Sequence, residues 1–225
     1  MIRFNSVSKK YKKSVAALED INFSIEDGEF VFLVGPSGAG KTTLLKLIIG
    51  EIKPTHGSVH VDDYIVSKLA ENKLPYLRRK VSFVFQDFKL LAERTVVENI
   101  SVSLEILGKT TVEAEKRIEA VLSMIKLSDK GNYFPRQLSY GEQQRVAIGR
   151  AIAGEAKILL ADEPTGNLDP KTSWEILKII SAINKDGKTV IMATHNVDIV
   201  NSLKKRVIVI KDGKIIKDEK KGSYS

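Results

Sequence analysis

The chain has 225 residues, 43% hydrophobic and 28% charged, a mixture that excludes a disordered or fibrous chain and suits one globular unit with room for a subdomain. The absence of cysteine excludes a disulfide framework and thiolate metal sites, and a reducing cytoplasm is the expected setting. No run of about eighteen apolar residues is present to cross a bilayer, and "MIRFNSVSKKYKK" lacks the apolar stretch of a signal peptide.

The formal net charge is +8. Basic residues gather at Lys9–Lys13, Arg78–Lys80, Lys204–Arg206 and along Lys211–Lys221. Tyr11 alone stands among them, too few aromatics for a single-strand binder, so no nucleic-acid partner is expected. A solvated basic surface is the first reading, and a weak pull toward anionic lipid headgroups the second. His56, His60 and His195 are not spaced as a metal cluster.

In chain order, "EFVFLVG" (Glu29–Gly35) is a continuous apolar run, the pattern of a strand buried on both faces. "KTTLLKLIIG" follows with helical spacing and a terminal Gly50. "GSVHVDD" and "KVSFVFQD" are further strand candidates. From Val96 to Lys126 the pattern is helical, and "LSYGEQQRVAIGRAI" (Leu138–Ile152) opens another helix. There Ser139 and Glu142 stand at capping-box spacing. "KILLADEP" (Lys157–Pro164) is a second buried strand, and Pro170 starts an amphipathic helix. "KTVIMATH" and "RVIVIKDGKII" end the chain in strands, the latter with a "KDGK" hairpin turn. Alternating strands and helices predict a mostly parallel α/β sheet covered on both faces. The helical stretch 88–153 interrupts that alternation as an inserted helical subdomain. Residues 1–87 and 154–225 then form the core, within one domain of 1–225.

Gly35–Thr42 fits G-x-x-x-x-G-K-[ST], set between a predicted strand and a helix as that motif requires. Glycines let the loop's N–H groups wrap phosphates, and the helix dipole adds attraction. Lys41 is expected to reach the β- and γ-phosphates, and the Thr42 hydroxyl to ligate Mg²⁺. The bland alternative is a glycine-rich turn beside an ordinary surface lysine. Asp162 ends an apolar strand, where a carboxylate can hold Mg²⁺ or its water. Glu163 follows as candidate general base, or else as a solvated loop acid.

Together these stretches resemble the ABC-type ATPases, over essentially the whole chain and in the family's order. The resemblance implies a P-loop NTPase core of mostly parallel sheet, an antiparallel β subdomain and the inserted helical subdomain. It implies ATP and Mg²⁺ as cofactors. Tyr11 matches the aromatic that stacks on adenine. Gly35, Ser37, Gly38, Ala39, Gly40, Lys41, Thr42 and Thr43 belong to the Walker A loop. Gln86 in "VFQD" matches the Q-loop glutamine, implied to act in catalysis and at the metal with Thr42 and Asp162. "LSYGEQ" matches the signature, with Ser139 and Gly141 facing a nucleotide. "ILLADEP" is Walker B, Asp169 in "GNLD" the D-loop, and His195 in "ATHN" the switch histidine, catalytic with Glu163. In this family two copies pair head to tail, and each ATP lies between one copy's Walker A loop and the other's signature.

One position departs. Tyr140 stands where the signature has its first glycine; it is strained if φ there is positive and harmless if the residue is helical. "VFQDFKLLAERTVVENISVSLEILG" resembles the family's cell-division branch, ahead of its lipoprotein-releasing and macrolide-exporting branches. That likeness implies an ATPase at the cytoplasmic face of the cell membrane, peripheral to an integral membrane subunit that regulates peptidoglycan hydrolysis. DNA-repair heads of this family carry long coiled coils, and no sustained heptad occurs here. Phe88, Leu90 and Leu91 are expected in an exposed loop, lining the groove where the membrane subunit docks.

Overall fold

The computed structural model describes residues 1–11 and 16–224; Lys12 and Lys13 of the first basic stretch lie outside them. The chain runs β1 (Ile2–Lys10), β2 (Ala16–Ile25), β3 (Phe30–Val34), α1 (Lys41–Ile48), β4 (His56–Val61), β5 (Tyr64–Ile65), α2 (Leu74–Lys80) and β6 (Val81–Val84). It continues through α3 (Val96–Ile106), α4 (Thr111–Met124), α5 (Tyr140–Ala153), β7 (Ile158–Asp162), α6 (Pro170–Lys185), β8 (Thr189–Thr194), α7 (Val197–Leu203), β9 (Arg206–Lys211) and β10 (Lys214–Glu219).

Two sheets form. The smaller has the order β2-β1-β4-β5 and pairs antiparallel throughout. The larger has the order β10-β9-β3-β8-β7-β6, parallel except for the β9–β10 hairpin. That hairpin turns on Asp212 (φ 49°) and Gly213 (φ 74°). Two successive positive φ values are what a two-residue type I′ turn demands, and "DG" is its usual sequence.

The continuous apolar strands are explained by two cores, one on each face of the larger sheet. Phe30, Phe32 and Val34 of β3 face one core, with Leu159 and Ala161 of β7 and Val190 and Met192 of β8. Their neighbours Val31, Leu33, Ile158, Leu160, Ile191 and Ala193 face the other. The first core is closed by α6 and by α3, α4 and α5. The second is closed by α1 and the antiparallel sheet. Successive strand residues point to opposite faces, so a strand covered on both must be apolar at every position. The apolar stripe of α6 (Ile176, Ile179, Ile180, Ile183) shows the 3.6-residue period on the side that meets the sheet.

The helices between β6 and β7 begin with local signals. Thr95 with Glu98, Thr110 with Glu113, and Ser139 with Glu142 form reciprocal capping boxes at the starts of α3, α4 and α5. Each box satisfies two backbone donors that the first helical turn leaves orphaned.

Candidate active site

The parallel register brings the catalytic candidates together. Val34 of β3 lies beside Thr194 of β8, Ala193 beside Asp162 of β7, and Ala161 beside Val84 of β6. The Walker A loop, His195, Glu163 and Gln86 therefore leave the same carboxyl edge of one sheet. Ligand sites of open parallel sheets form at that edge. A cleft of about 470 Å³ lies there, walled by Pro36–Thr43, Gln86, Glu163 and His195.

Glycine is required in the loop for steric reasons. Gly40 has φ 110°, and a Cβ on it would fall 2.6 Å from the Ala17 carbonyl oxygen and 2.7 Å from Leu18 Cδ2. Gly35 has φ 152°, and a Cβ there would fall 2.1 Å from the Ile210 carbonyl oxygen. The loop is pressed against the body of the protein and leads directly into α1, which has no side-chain cap. An uncapped helix start suits an anion.

Lys41 is 7% exposed. Its ammonium donates to the carbonyl oxygens of Gly35 (2.8 Å) and Pro36 (3.1 Å) and lies 3.5 Å from Glu163 Oε1. The other Glu163 oxygen lies 2.8 Å from His195 Nδ1. Glu163 is thus held between Lys41 and His195 in the cleft wall. Its backbone is left-handed (φ 48°), fixed by an N–H donated to the Ala193 carbonyl. Such a conformation costs a non-glycine residue on the order of 1–3 kcal/mol and persists where the surroundings enforce it.

Asp162 is buried, and burial pushes its carboxyl pKa up; the Thr42 hydroxyl bonds to it and opposes that shift. Its Oδ1 is buried with no hydrogen-bond partner. A carboxylate oxygen left unpaired beside a hydroxyl is a hard-oxygen donor set, which fits Mg²⁺. Tyr11 stands at the loop's edge, its hydroxyl 3.4 Å from Thr43 Oγ1 and the Lys9 ammonium 5.4 Å from its ring centre.

Ser139, Gly141 and Asp169 do not line this cleft. Ser139 is exposed at the start of α5, and its hydroxyl and amide both bond Glu142. Lys130 beside Glu142, with the Ser139 bonds, holds that carboxyl down at about 2. Tyr140 is the first residue of α5, is 67% exposed, and has no positive φ. Its ring points outward, so the tyrosine is unstrained. Gly141 is buried, and a Cβ on it would fall 2.4 Å from Thr172 Cγ2 at the start of α6. Its lack of a side chain therefore has a packing reason within the chain. Asp169 caps α6, accepting from the Thr172 N–H at 3.0 Å; the Thr172 hydroxyl first, and that N–H second, lower its pKa.

The loop after Gln86 is less exposed than the sequence reading expects. Phe88 is half-buried with its ring centre 6.0 Å from that of Tyr140, and Leu90 packs against the first core. Leu91, 43% exposed, is the one of the three that lines the groove between α2, β6, α3 and α5. Phe88 (φ 60°) and Lys89 (φ 49°) turn the chain inward, and Arg150 of α5 donates to both of their carbonyls, at 2.9 and 2.6 Å. That turn needs a residue 61 positions away, so no local pattern could disclose it. The same groove takes Phe83, Phe85 and Ile106, which sequence reasoning missed because they come from separate elements.

Comparison with known proteins agrees with this geometry. The chain matches the family model of the ABC transporter over residues 18–166. It is 50% identical over 224 residues to the cell division ATP-binding protein FtsE of Bacillus subtilis, covering 100% of this chain and 98% of that protein. It is 47% identical over 225 residues to FtsE of Mycobacterium tuberculosis, at 100% and 98% coverage. Among solved structures, a dimeric ATP-binding cassette in a post-hydrolysis state with ADP and Pi superposes with TM-score 0.91 at 39% identity, each chain covered in full. A cassette from Clostridium perfringens, part of an ABC transporter complex, does so with TM-score 0.89 at 30% identity, covering 97% of this chain and 88% of that one. A Walker A loop, Gln86, Glu163 and His195 around one cleft, with matches spanning the full chain, make this protein a member of the ABC transporter family and an ATPase of its cassette type.

Proposed function

We propose that this chain is the ATP-hydrolysing subunit of a complex acting in bacterial cell division, working at the cytoplasmic face of the membrane beneath an FtsX-like integral membrane subunit that regulates peptidoglycan hydrolysis. Two copies pair head to tail. Ser139 and Gly141 of one copy face the nucleotide held by the Walker A loop of the other, with Asp169 at the seam. Tyr11 stacks on adenine. Gly35, Ser37, Gly38, Ala39, Gly40, Thr42 and Thr43 bind the phosphates through their N–H groups and hydroxyls, and Lys41 pairs with the outer phosphates. Thr42, Asp162 and Gln86 hold Mg²⁺, which when bound neutralises charge on the phosphates. Glu163 takes the proton of the attacking water, and His195 fixes the orientation of its carboxylate.

The observation that carries this reading is that the Walker A loop, Gln86, Glu163 and His195 line one cleft, whereas the signature starts α5 elsewhere on the same chain, with Ser139 exposed. No helix of the described residues is long and apolar enough to cross a membrane, which supports a separate membrane subunit. The test mixes Ser139→Arg with Lys41→Ala. Each alone is expected to lack turnover, whereas their heterodimer has one intact site and one doubly damaged site and regains partial activity. Inactivity of heterodimers shown to form, with both sites free to fire independently, refutes the shared site.

A further inference from the structure

Past β10 the chain runs beside the start of β9 and on to α7. Gly222 is buried and donates its N–H to the Lys205 carbonyl at 3.1 Å. A Cβ on it would fall 2.8 Å from Val207 Cβ, so a glycine lets the backbone lie this close to β9. Two residues on, Tyr224 and Asn201 of α7 form a reciprocal pair. Asn201 Nδ2 donates to the Tyr224 carbonyl at 3.0 Å, and the Tyr224 N–H donates to Asn201 Oδ1 at 2.8 Å. One side-chain amide thus satisfies both backbone groups of one residue. Half-buried Tyr224 packs against the first core, to which Ile199 and Val200 of α7 also belong. Residues 222–224 form a strap that holds α7 at two points, its outer face at Asn201 and its exit at Lys205.

What the strap holds lies directly behind the cleft. The His195 side chain is 64% exposed, and its ring has one hydrogen-bond partner among the described residues, Glu163. With so little packing around it, the ring takes its direction from its own backbone. That backbone joins Thr194, the last residue of β8, to Asn196, the N-cap of α7. The sheet fixes β8 from both sides, through β3 and β7. No such frame fixes α7. It has seven residues, and a helix that short has little stability of its own, so tertiary contacts must set its position. Ile199 and Val200 supply them on its buried side, and the strap supplies them on its exposed side.

We infer that Asn201 is a positioning residue for ATP hydrolysis: bound to the strap at Tyr224, it holds α7 in place and so keeps the His195 ring directed at Glu163. The inference rests on the role proposed above for His195 and adds what sets that ring's direction. Both bonds of the Asn201–Tyr224 pair are exposed, so their net contribution to folding is modest. The strap can therefore release α7 without unfolding the core. A cavity of about 440 Å³, walled by Ser223, Tyr224, Ile216 and Pro36 among others, leaves it room to shift. A turn of α7 about its buried Ile199–Val200 side carries the Asn196 cap with it, and that cap adjoins His195. Misplacing a reacting group by an ångström costs on the order of a hundredfold in rate, and a looser hold on a group that orients the base costs less.

The test measures ATP turnover of the full chain for Asn201→Ala, His195→Ala and the double variant, at protein concentrations that saturate the rate. Asn201→Ala removes both bonds of the pair, and a thermal melt verifies its fold. It is expected to lower kcat about three- to tenfold while KM for ATP stays within about twofold. In the His195→Ala background the same substitution is expected to change nothing further, because the group it serves is gone. Labelled-histidine NMR gives a reading independent of rate. The chain has three histidines, and the signal missing from His195→Ala identifies that of His195. In Asn201→Ala that signal is expected to move while those of His56 and His60 stay. An unchanged kcat with an unmoved His195 signal overturns the inference. So does an equal loss of kcat in both backgrounds, which makes the strap a general brace of the fold. Wild-type turnover in His195→Ala instead removes His195 from the reaction, and the NMR signal then decides by itself whether the strap holds the ring.

Discussion

Adding one methyl group at Gly141 separates packing from ligand binding at the signature. A Cβ there lies 2.4 Å from Thr172 Cγ2, while its next contacts, Thr172 Cβ and Oγ1, are at 3.6 and 3.7 Å. Carbon atoms rest about 3.5–4.0 Å apart, so the overlap is with a single methyl group and exceeds about 1 Å. Overpacking of this kind costs about 1–3 kcal/mol. Replacing a helical glycine by alanine returns about 0.5–1 kcal/mol. Gly141→Ala is therefore expected to lose roughly 1–2 kcal/mol, or several degrees in Tm for a domain of this size. Thr172→Ser deletes the offending methyl and keeps the hydroxyl and the capped N–H. In its background Gly141→Ala should be neutral or stabilising, a coupling of about 1–3 kcal/mol across the double-mutant cycle. Urea and thermal melts of the four proteins measure it, and additive effects refute the clash. Turnover supplies the second half of the experiment. If Gly141 also faces the nucleotide of a second copy, the double variant regains stability but not ATPase activity. Recovery of both together would reduce Gly141 to a packing residue.

Glu163→Gln should keep ATP binding and collect as an ATP-bound dimer while turnover falls by a factor on the order of 10²–10⁴, read by single-turnover assay; wild-type turnover removes it as the base. Tyr11→Ala should weaken ATP and GTP alike by roughly 1–3 kcal/mol in calorimetry, since stacking tolerates any base; a loss for ATP alone refutes stacking. The Glu142 carboxyl is lowered from 4.5 to about 2, so its stabilising share is complete above pH 4.5 and lost as pH falls toward 2. Lys130→Met removes the main cause of that lowering and should flatten the acid limb of stability between those pH values in denaturant titrations. Phe88→Ala, which removes the contact with Tyr140, should lower Tm modestly and leave recruitment by the membrane subunit intact, as co-purification would show.

Where structure depends on near neighbours, it was legible from the chain alone. The apolar runs of β3 and β7, the Ser139 cap, the Asp212–Gly213 turn and the Walker A loop each depend on contacts within a few residues or on burial of a whole strand. In the N-terminal sheet β4 shows in the sequence pattern but β1 does not, because register shifts between Phe4 and Val7 and again before Lys9 break its two-residue alternation. At seven residues each, α2 and α7 are too short to display a helical period. Whether Tyr140 was strained depended on its φ, which neither its identity nor its neighbours determine. Tertiary structure alone decided the site, because parallel register, not sequence spacing, sets Gln86, Glu163 and His195 around one cleft. It decided the loop after Gln86 for the same reason: Phe88 and Leu90 are half-buried where Arg150, far along the chain, holds their turn closed, and Leu91 of the three lines the groove beside α3.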